Sequence, residues 1–397
     1  MTKRQVPFSG VGYKYSVDDI AVVTAAMSSE KTYTQGIHQE EFEKAFRELM
    51  EVKYAFATSS AATAIELVAI LFDIQPGDEV IAPAHTYAAS VYPFARNGAS
   101  IKWADIDSKE FIVTLDTIKP LVSKKTKVII LVHLYGLPVD TSEIIKFAHE
   151  NNILVLEDCA QSIGATVKGE KVGKFADAAV YSFQSHKNVS TLGEGGMLTF
   201  NRESWAKVLP GLRHNGHRPF EIDKDMYWSP AMSDVTFDLE GVWPHNFCLG
   251  EVQCALGTHL LRKVEQINLR RRERYYLALE SLREFPEIQW QFIPNHKVSA
   301  HHLLPFKLLG AKYKTGADEV FKMLSQDYLV FPAKQYYPLN RYGLFIQSGN
   351  SEAKIPVTDE YYDNMVSLPF HHWMTDNDFE YILESLKKTI IALRKRA

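Results

Sequence analysis

Ala178-Ala179-Val180-Tyr181-Ser182-Phe183-Gln184-Ser185-His186-Lys187 is an apolar run that ends in a hydroxyl, a short loop and a lysine. The turn Leu192-Gly193-Glu194-Gly195-Gly196 follows it. The run has the length of a buried strand, and the glycines let the backbone close tightly behind it. Upstream, the run Ile153 to Leu156 ends in Glu157-Asp158-Cys159-Ala160-Gln161. Two strands that each end in a reactive side chain set the pattern for the rest. Working outward, strands are expected at Ala55–Thr58, Glu79–Ala82, Ile101–Trp103, Lys127–Val132, Ile153–Leu156, Ala178–Ser182 and Met197–Phe200. Segments 60–73, 116–122 and 140–151 read as helices between them. This alternation predicts an α/β domain with a mainly parallel sheet, whose ligands bind beyond the strand C-termini.

The flanks are less regular. Residues 16–50 carry helical spacing broken by Tyr33-Thr34-Gln35-Gly36, a turn that could face a ligand. Residues 205–245 hold three of the six Trp with several Pro and Gly and read as a loop. One long helix is expected over Glu251 to Leu282 as a connector to a second domain, which ends in an amphipathic helix, Asp376 to Arg394.

Composition excludes several classes. With 397 residues there is room for two domains and a large core. Net charge is -4 and basic residues form no stripe, which argues against a nucleic-acid partner. Three Cys give neither a disulfide framework nor paired metal hooks, as suits a reducing cytoplasm. The N-terminus lacks the apolar core of a signal peptide, and no run is long enough to span a membrane. The 14 His show no H-x-x-x-H or H-E-x-x-H spacing, so no metal is assigned.

The residue chemistry suggests one cofactor. An amine at one strand end and an acid at another match the two ends of pyridoxal phosphate (PLP): an aldehyde that wants an amine and a ring nitrogen that wants a carboxylate. Lys187 can form a Schiff base and then serve as a base; taken alone it reads more readily as a surface lysine in a loop. Asp158 can hold the ring nitrogen protonated, or act as a helix cap or a metal ligand. Gln161 can donate to the ring hydroxyl or simply begin a helix. Thr58-Ser59-Ser60-Ala61-Ala62-Thr63-Ala64 leads from a strand into a helix, where free N–H groups and the helix dipole favour a phosphate or where Ser merely caps. Ser182 offers another hydroxyl. Tyr87 can stack on a planar ring or sit in the core. His186 is either an accident of sequence or a general acid near the substrate.

Together these segments resemble the DegT/StrS family of sugar aminotransferases, within the fold type I aspartate aminotransferase superfamily. The resemblance rests on seven blocks in order. They are Thr34-Gln35-Gly36 with Glu40 to Glu43; Pro76-Gly77-Asp78-Glu79-Val80-Ile81; Thr86-Tyr87-x-Ala89; Val132-His133-Leu134-Tyr135-Gly136; Glu157-Asp158-Cys159-Ala160-Gln161; Ser182-Phe183-x-x-x-Lys187 with Gly193-Glu194-Gly195-Gly196; and Ser367-Leu368-Pro369-Phe370-His371 with Met374-Thr375-Asp376.

The resemblance implies a seven-stranded, mixed but mostly parallel sheet in a large PLP-binding domain, 1–260, and a smaller C-terminal α+β domain, 261–397. It implies Lys187 as the catalytic, cofactor-linked lysine. It implies cofactor contacts from Ser60, Ala61, Ala62, Tyr87, Asp158, Gln161, Ser182 and Asn246, the last toward a partner's phosphate in a homodimer with shared sites. Thr34, His186 and His371 are expected at the substrate. The implied reaction moves an amino group from L-glutamate or L-glutamine to a keto-sugar, most simply nucleotide-linked. Gln184 resembles the branch that uses cyclitols or makes aminohydroxybenzoate, and a non-catalytic PLP-binding regulator is a reading of another class.

Three departures stand out. The family's S-G-T phosphate turn is Ser60-Ala61-Ala62 here, which leaves open which of Ser60 to Thr63 touches phosphate. Its N-[Y/F]-R-[M/L] is Asn246-Phe247-Cys248-Leu249, without the Arg. Arg213 to His245 is longer than usual. A family branch that runs a dehydration has His at the lysine position; here that position is Lys187.

Overall fold

The computed structural model describes residues 4–28, 32–217, 241–310 and 316–396. Most of the segment 213–245 that departs from the family lies outside them.

All seven expected strands form and join one sheet. They are β1 (Tyr54–Thr58), β2 (Glu79–Pro83), β3 (Ser100–Ala104), β4 (Thr126–Val132), β5 (Leu154–Asp158), β8 (Ala178–Ser182) and β9 (Gly196–Phe200), in the order β1-β9-β8-β5-β4-β2-β3. The short pair β6 (Thr166–Val167) and β7 (Glu170–Lys171) interrupts the numbering between β5 and β8. From β8 to β3 every pairing is parallel, whereas β9 runs antiparallel to both β8 and β1. The central strands are buried on both faces: Val128, Ile129, Ile130 and Leu131 of β4 are all shielded. A sheet covered by helices on both sides requires that apolar continuity. The helix Ala61–Leu71 buries Ala64, Ile65, Leu67 and Val68 in the same core.

β5 is held from behind by a buried polar knot. His133 Nε2 lies 2.9 Å from Glu157 Oε2, and Val139 N–H donates to His133 Nδ1 at 2.9 Å. That second bond fixes the proton on Nε2, which then donates to Glu157. Gly173 N–H donates to the same carboxylate oxygen at 2.7 Å. Cys159 lies close enough to complete a three-ligand metal cluster. His133 and Glu157 are engaged with each other and with the N–H groups of Val139 and Gly173.

A second layer is built on β10 (Ile288–Trp290), β12 (Leu304–Leu308) and β13 (Met365–Leu368), an antiparallel sheet in the order β10-β12-β13. The short β11 (Lys297–Val298) pairs instead with β6. Phe306, Val366 and Leu368 pack against Ile382, Leu386 and Ile390 of the helix Asp376–Arg396. Val6 joins that core and bridges to Val330, so the N-terminal segment reaches the C-terminal layer.

Two expectations are corrected. The loop expected from 205 begins as a helix, Glu203–Arg213, which buries Trp205, Leu209 and Leu212 on one face despite Pro210 inside it. Burial of that face outweighs the single backbone bond lost at proline. The one long helix is two, Glu251–Leu261 and Val264–Ser281. The break at Arg262-Lys263 brings Lys263 Nζ within 2.6 Å of the buried Asp19. Apolar spacing continues across the break, which is why the sequence reads as continuous.

Candidate active site

The sheet register assembles the site. Asp158 is the last residue of β5 and Ser182 the last of β8, on adjacent parallel strands. Gly196, the first residue of β9, pairs with Ser182 on one side and Thr58 on the other. Three strand ends therefore stand in one row, and the turn after Thr58 starts the helix Ala61–Leu71. A cavity of about 770 Å³ opens above them, lined by Ser60, Ala61, Ala62, Tyr87, Asp158, Gln161, Ser182, His186, Lys187 and His371 among others. Ten of the twelve site residues expected from sequence meet there. Thr34 and Asn246 do not line it: Thr34 bridges to Gly250, and Asn246 bridges to His214 with its side chain exposed.

The turn Ser59–Thr63 is a helix start with spare donors. Ser60 Oγ accepts from Thr63 N–H at 3.1 Å, and Thr63 Oγ1 accepts from Ser60 N–H at 3.1 Å, a reciprocal capping box. Thr63 is thus turned back into the cap. Among the described residues, the N–H groups of Ala61 and Ala62 meet no acceptor. They face the cavity with the positive end of the helix dipole, a seat for a dianion. Ser59 N–H is held by Phe247 O at 2.8 Å, which anchors the turn to the segment after Arg213.

Gly196 is required by this geometry. A Cβ there would overlap the Ser60 carbonyl carbon and lie 2.5 Å from Ala61 N. Gly196→Ala is expected to push the turn out of register and to weaken binding of PLP, and of inorganic phosphate competing for the same seat, by about tenfold or more, the loss of at least one charge-assisted hydrogen bond. Equilibrium dialysis with each ligand checks this; unchanged affinities would show that the turn is not the anion seat.

At the other end, Asp158 is buried and accepts from Ser90 Oγ at 2.6 Å and from Ala160 N–H at 3.0 Å. No Lys, Arg or His among the described residues forms an ion pair with it. A buried carboxylate held only by neutral donors suits a cationic ring nitrogen. Gln161 Oε1 accepts from Tyr135 N–H at 2.8 Å, and its Nε2 donates to Tyr336 Oη at 3.0 Å. Tyr87, at the start of a 3₁₀ turn, is 66% exposed on the cavity wall, an aromatic face with room for a planar partner.

Lys187 is half-buried and no described residue accepts a hydrogen bond from its Nζ. Burial lowers its pKa to about 8, against the opposing pull of Asp158 and Glu194. Its loop is tightly braced. Gln184 Oε1 accepts from His186 N–H at 2.8 Å, and Gly12 N–H donates to Ser185 O at 2.7 Å. Burial, then Lys187, lowers the pKa of the exposed His186. His371 lies against Trp373 at 4.9 Å, and burial brings its pKa to about 3. Ser59, in the turn already singled out, also lines the cavity, as do Ser90, His302, Gln335 and Tyr336, which the sequence analysis does not name. Only Ser90 carried a local signal, three residues beyond Tyr87 in the same turn.

These groups fit PLP: free N–H donors for a phosphate, a carboxylate held by neutral donors for a ring cation, an exposed aromatic face and an amine of lowered pKa. Comparison with known proteins agrees. The model of the DegT/DnrJ/EryC1/StrS aminotransferase family matches residues 14–387. GDP-perosamine synthase of Caulobacter vibrioides is 30% identical over 360 residues, 88% of this chain and 90% of its own. A "pleiotropic regulatory protein" of Geobacillus stearothermophilus is 27% identical over 338 residues, 84% of each chain. In structure, Helicobacter pylori PseC, an aminotransferase involved in the biosynthesis of pseudoaminic acid, aligns with a TM-score of 0.86 at 23% identity, over 97% of this chain and all of that one (100%), which shows the shared fold. With a family match across nearly the whole chain and a strand-end site suited to PLP, this chain belongs to the DegT/DnrJ/EryC1/StrS aminotransferase family.

Proposed function

We propose that the chain moves an amino group from L-glutamate or L-glutamine onto a keto-sugar, most simply one linked to a nucleotide. The observation that carries this reading is the unpartnered amine of Lys187 above the same cavity as Asp158 and the free N–H groups of Ala61 and Ala62. Bound there, PLP supplies an electron sink for the substrate carbon that loses its proton. The chain's own residues do the rest. Ala61, Ala62 and Ser182 hold the phosphate; Asp158 keeps the ring nitrogen protonated; Tyr87 covers one ring face. Lys187 Nζ, with its lowered pKa, takes the proton from one carbon and returns it to the other. His186 and His371, which line the cavity, are assigned to the substrate; Thr34, outside its own chain's cavity, can reach substrate only in a partner's site.

A nucleotide-linked acceptor is favoured by the relative named GDP-perosamine synthase and by a cavity at the roomy end of small-molecule sites. A keto-cyclitol or aminohydroxybenzoate-type substrate is the alternative that Gln184 favours; here Gln184 both braces the lysine loop and lines the cavity. The relative named as a regulatory protein favours a non-catalytic reading. Against it stands an amine of lowered pKa, which a purely binding protein does not need.

A homodimer belongs to the same proposal. Asn246 is exposed and outside its own chain's cavity, as a residue offered to a partner's phosphate must be. Val17, Ile20, Met27, Tyr33 and Ile37 give the N-terminal region an exposed apolar face suited to subunit contact.

The test is the first half-reaction, followed by an acceptor panel. Purified protein loaded with PLP is mixed with L-glutamate or L-glutamine. Bleaching of the visible cofactor band with stoichiometric oxo-acid supports the aminotransferase reading. Turnover is then compared between keto-sugar nucleotides and keto-inositols. A band indifferent to both donors, with no turnover of any acceptor, favours the regulator.

A further inference from the structure

Four polar side chains behind the cavity close into one hydrogen-bonded ring. Gln161 Oε1 accepts from Tyr135 N–H at 2.8 Å, and Gln161 Nε2 lies 3.0 Å from Tyr336 Oη. Tyr135 Oη lies 2.7 Å from His85 Nε2, and His85 Nδ1 lies 3.0 Å from the Tyr336 carbonyl. The donors follow from the groups whose roles are fixed; Tyr135 Oη also lies 3.9 Å from Met365 Sδ, a contact too long to compete with His85. A backbone N–H must face the amide oxygen, so Gln161 presents its NH2 to Tyr336. A carbonyl only accepts, so His85 carries its proton on Nδ1. Burial brings its pKa to about 3, so it carries no second proton, and its Nε2 accepts from Tyr135.

This assignment leaves two protons over. An amide NH2 cannot accept, so Tyr336 Oη accepts from Gln161 and its own O–H proton has no taker in the ring. Gln161 likewise has a second N–H to spare. Both residues line the cavity beside Asp158. Tyr135 and Tyr336 have φ of 63° and 57°, a left-handed conformation costly for bulky residues. Glu51 and Leu329 adopt similar angles merely to end helices. Phe111, Leu192 and His301 adopt such angles away from this ring, so the proposal stands on the hydrogen bonds and not on the backbone angle.

We propose that Tyr336 is a cofactor-orienting residue, which locks the Gln161 amide and donates its own hydroxyl proton to the ring oxygen of PLP. The claim rests on the PLP reading above. It draws one wall of the site from the chain 175 positions beyond Gln161. Leu339 N–H, bonded to Ala84 O at 2.9 Å, moors the Tyr336 segment to the end of β2.

The sign of the effect follows from charge. Donors to the ring oxygen stabilise its anionic form. Without one of them, that oxygen holds the proton it shares with Lys187 Nζ more tightly, so loss of that proton moves to higher pH. Tyr336→Phe is compared with the unaltered chain by three readouts: the pH midpoint of the visible absorption of the PLP-loaded protein, the dissociation constant for PLP, and the melting temperature of the cofactor-free protein. The midpoint is expected to rise by roughly half a unit or more and affinity to fall about three- to tenfold, with melting unchanged. Gln161→Glu is the second variant and the safeguard if Tyr336→Phe does not fold. A carboxylate there takes the Tyr336 proton for itself, so both ring-oxygen donors are lost and the midpoint rises further. Superimposable titrations and equal affinities for the unaltered chain and either variant overturn the proposal. An unaltered chain that forms no visible band with PLP instead overturns the cofactor reading, and this proposal with it.

Discussion

Lys187→Ala is expected to lower turnover by about 10⁴-fold or more, the upper end of what a positioned acid–base group supplies, while the protein still binds PLP. The argument begins with burial. Nζ is half-buried without a hydrogen-bond acceptor, and its pKa falls to about 8. At pH 7 roughly one amine in ten is then neutral and able to attack an aldehyde or accept a proton, against almost none at an ordinary lysine. The phosphate seat, Asp158 and Tyr87 do not depend on Nζ, so binding survives its removal. In the unaltered chain, the rate of PLP capture should rise about tenfold per pH unit and level off above pH 8; Lys187→Ala should show no such rise. Stopped-flow absorbance and single-turnover assays with L-glutamate measure both. Near-normal turnover in the variant would remove Lys187 from the chemistry. The adjacent His186, exposed, close to Gly10 and also lining the cavity, would then be the next candidate.

Asp158→Asn is expected to cost at least about 10²-fold in turnover, equivalent to roughly 3 kcal/mol for a charge-assisted bond. The substitution is nearly isosteric. Ala160 N–H can still donate to the amide oxygen. Ser90 Oγ, which also lies 3.2 Å from Thr86 Oγ1, can turn to accept from the new NH2. The fold should therefore tolerate the change, and removal of an uncompensated buried charge can even stabilise the cofactor-free protein. The loss falls on the ring nitrogen, which an amide cannot hold protonated. Melting curves without cofactor and turnover with it separate the two effects. A large fall in melting temperature with proportionate loss of PLP binding would assign Asp158 to the fold instead.

Much of the fold is legible along the chain because its signals are local. β4 reads as a strand because Lys127 to Val132 is continuously apolar after its first residue, as a strand covered on both faces must be. The helix Ala61–Leu71 announces itself by Ser60 and Thr63, which form its capping box. The helix Glu203–Arg213 was lost behind Pro210 and the neighbouring Trp and Gly, whose weight in sequence outran the burial that decides its state. The break at Arg262-Lys263 was invisible for the opposite reason. Helical spacing persists through it, and the contact to Asp19 that exploits it lies 244 residues away.

The site divides along the same line. Lys187, Asp158, Gln161, Ser182 and the Ser60–Ala62 turn could be named from sequence, because each sits at the end of a strand or the start of a helix with its own local signature. Sequence could also flag that the phosphate turn had changed. Only the folded chain could decide that Thr63 is spent on the cap and that the Ala61 and Ala62 N–H groups are the spare donors. Likewise no spacing rule could find Tyr336 or His302, which are brought in by a layer folded on a different sheet. The strand ends and the reactive groups they carry are legible along the chain, since backbone pattern and side-chain identity are properties of neighbours in sequence. Which donors remain unsatisfied and face one another is set by packing, since a hydrogen bond is claimed by whichever partner the fold brings within about 3 Å.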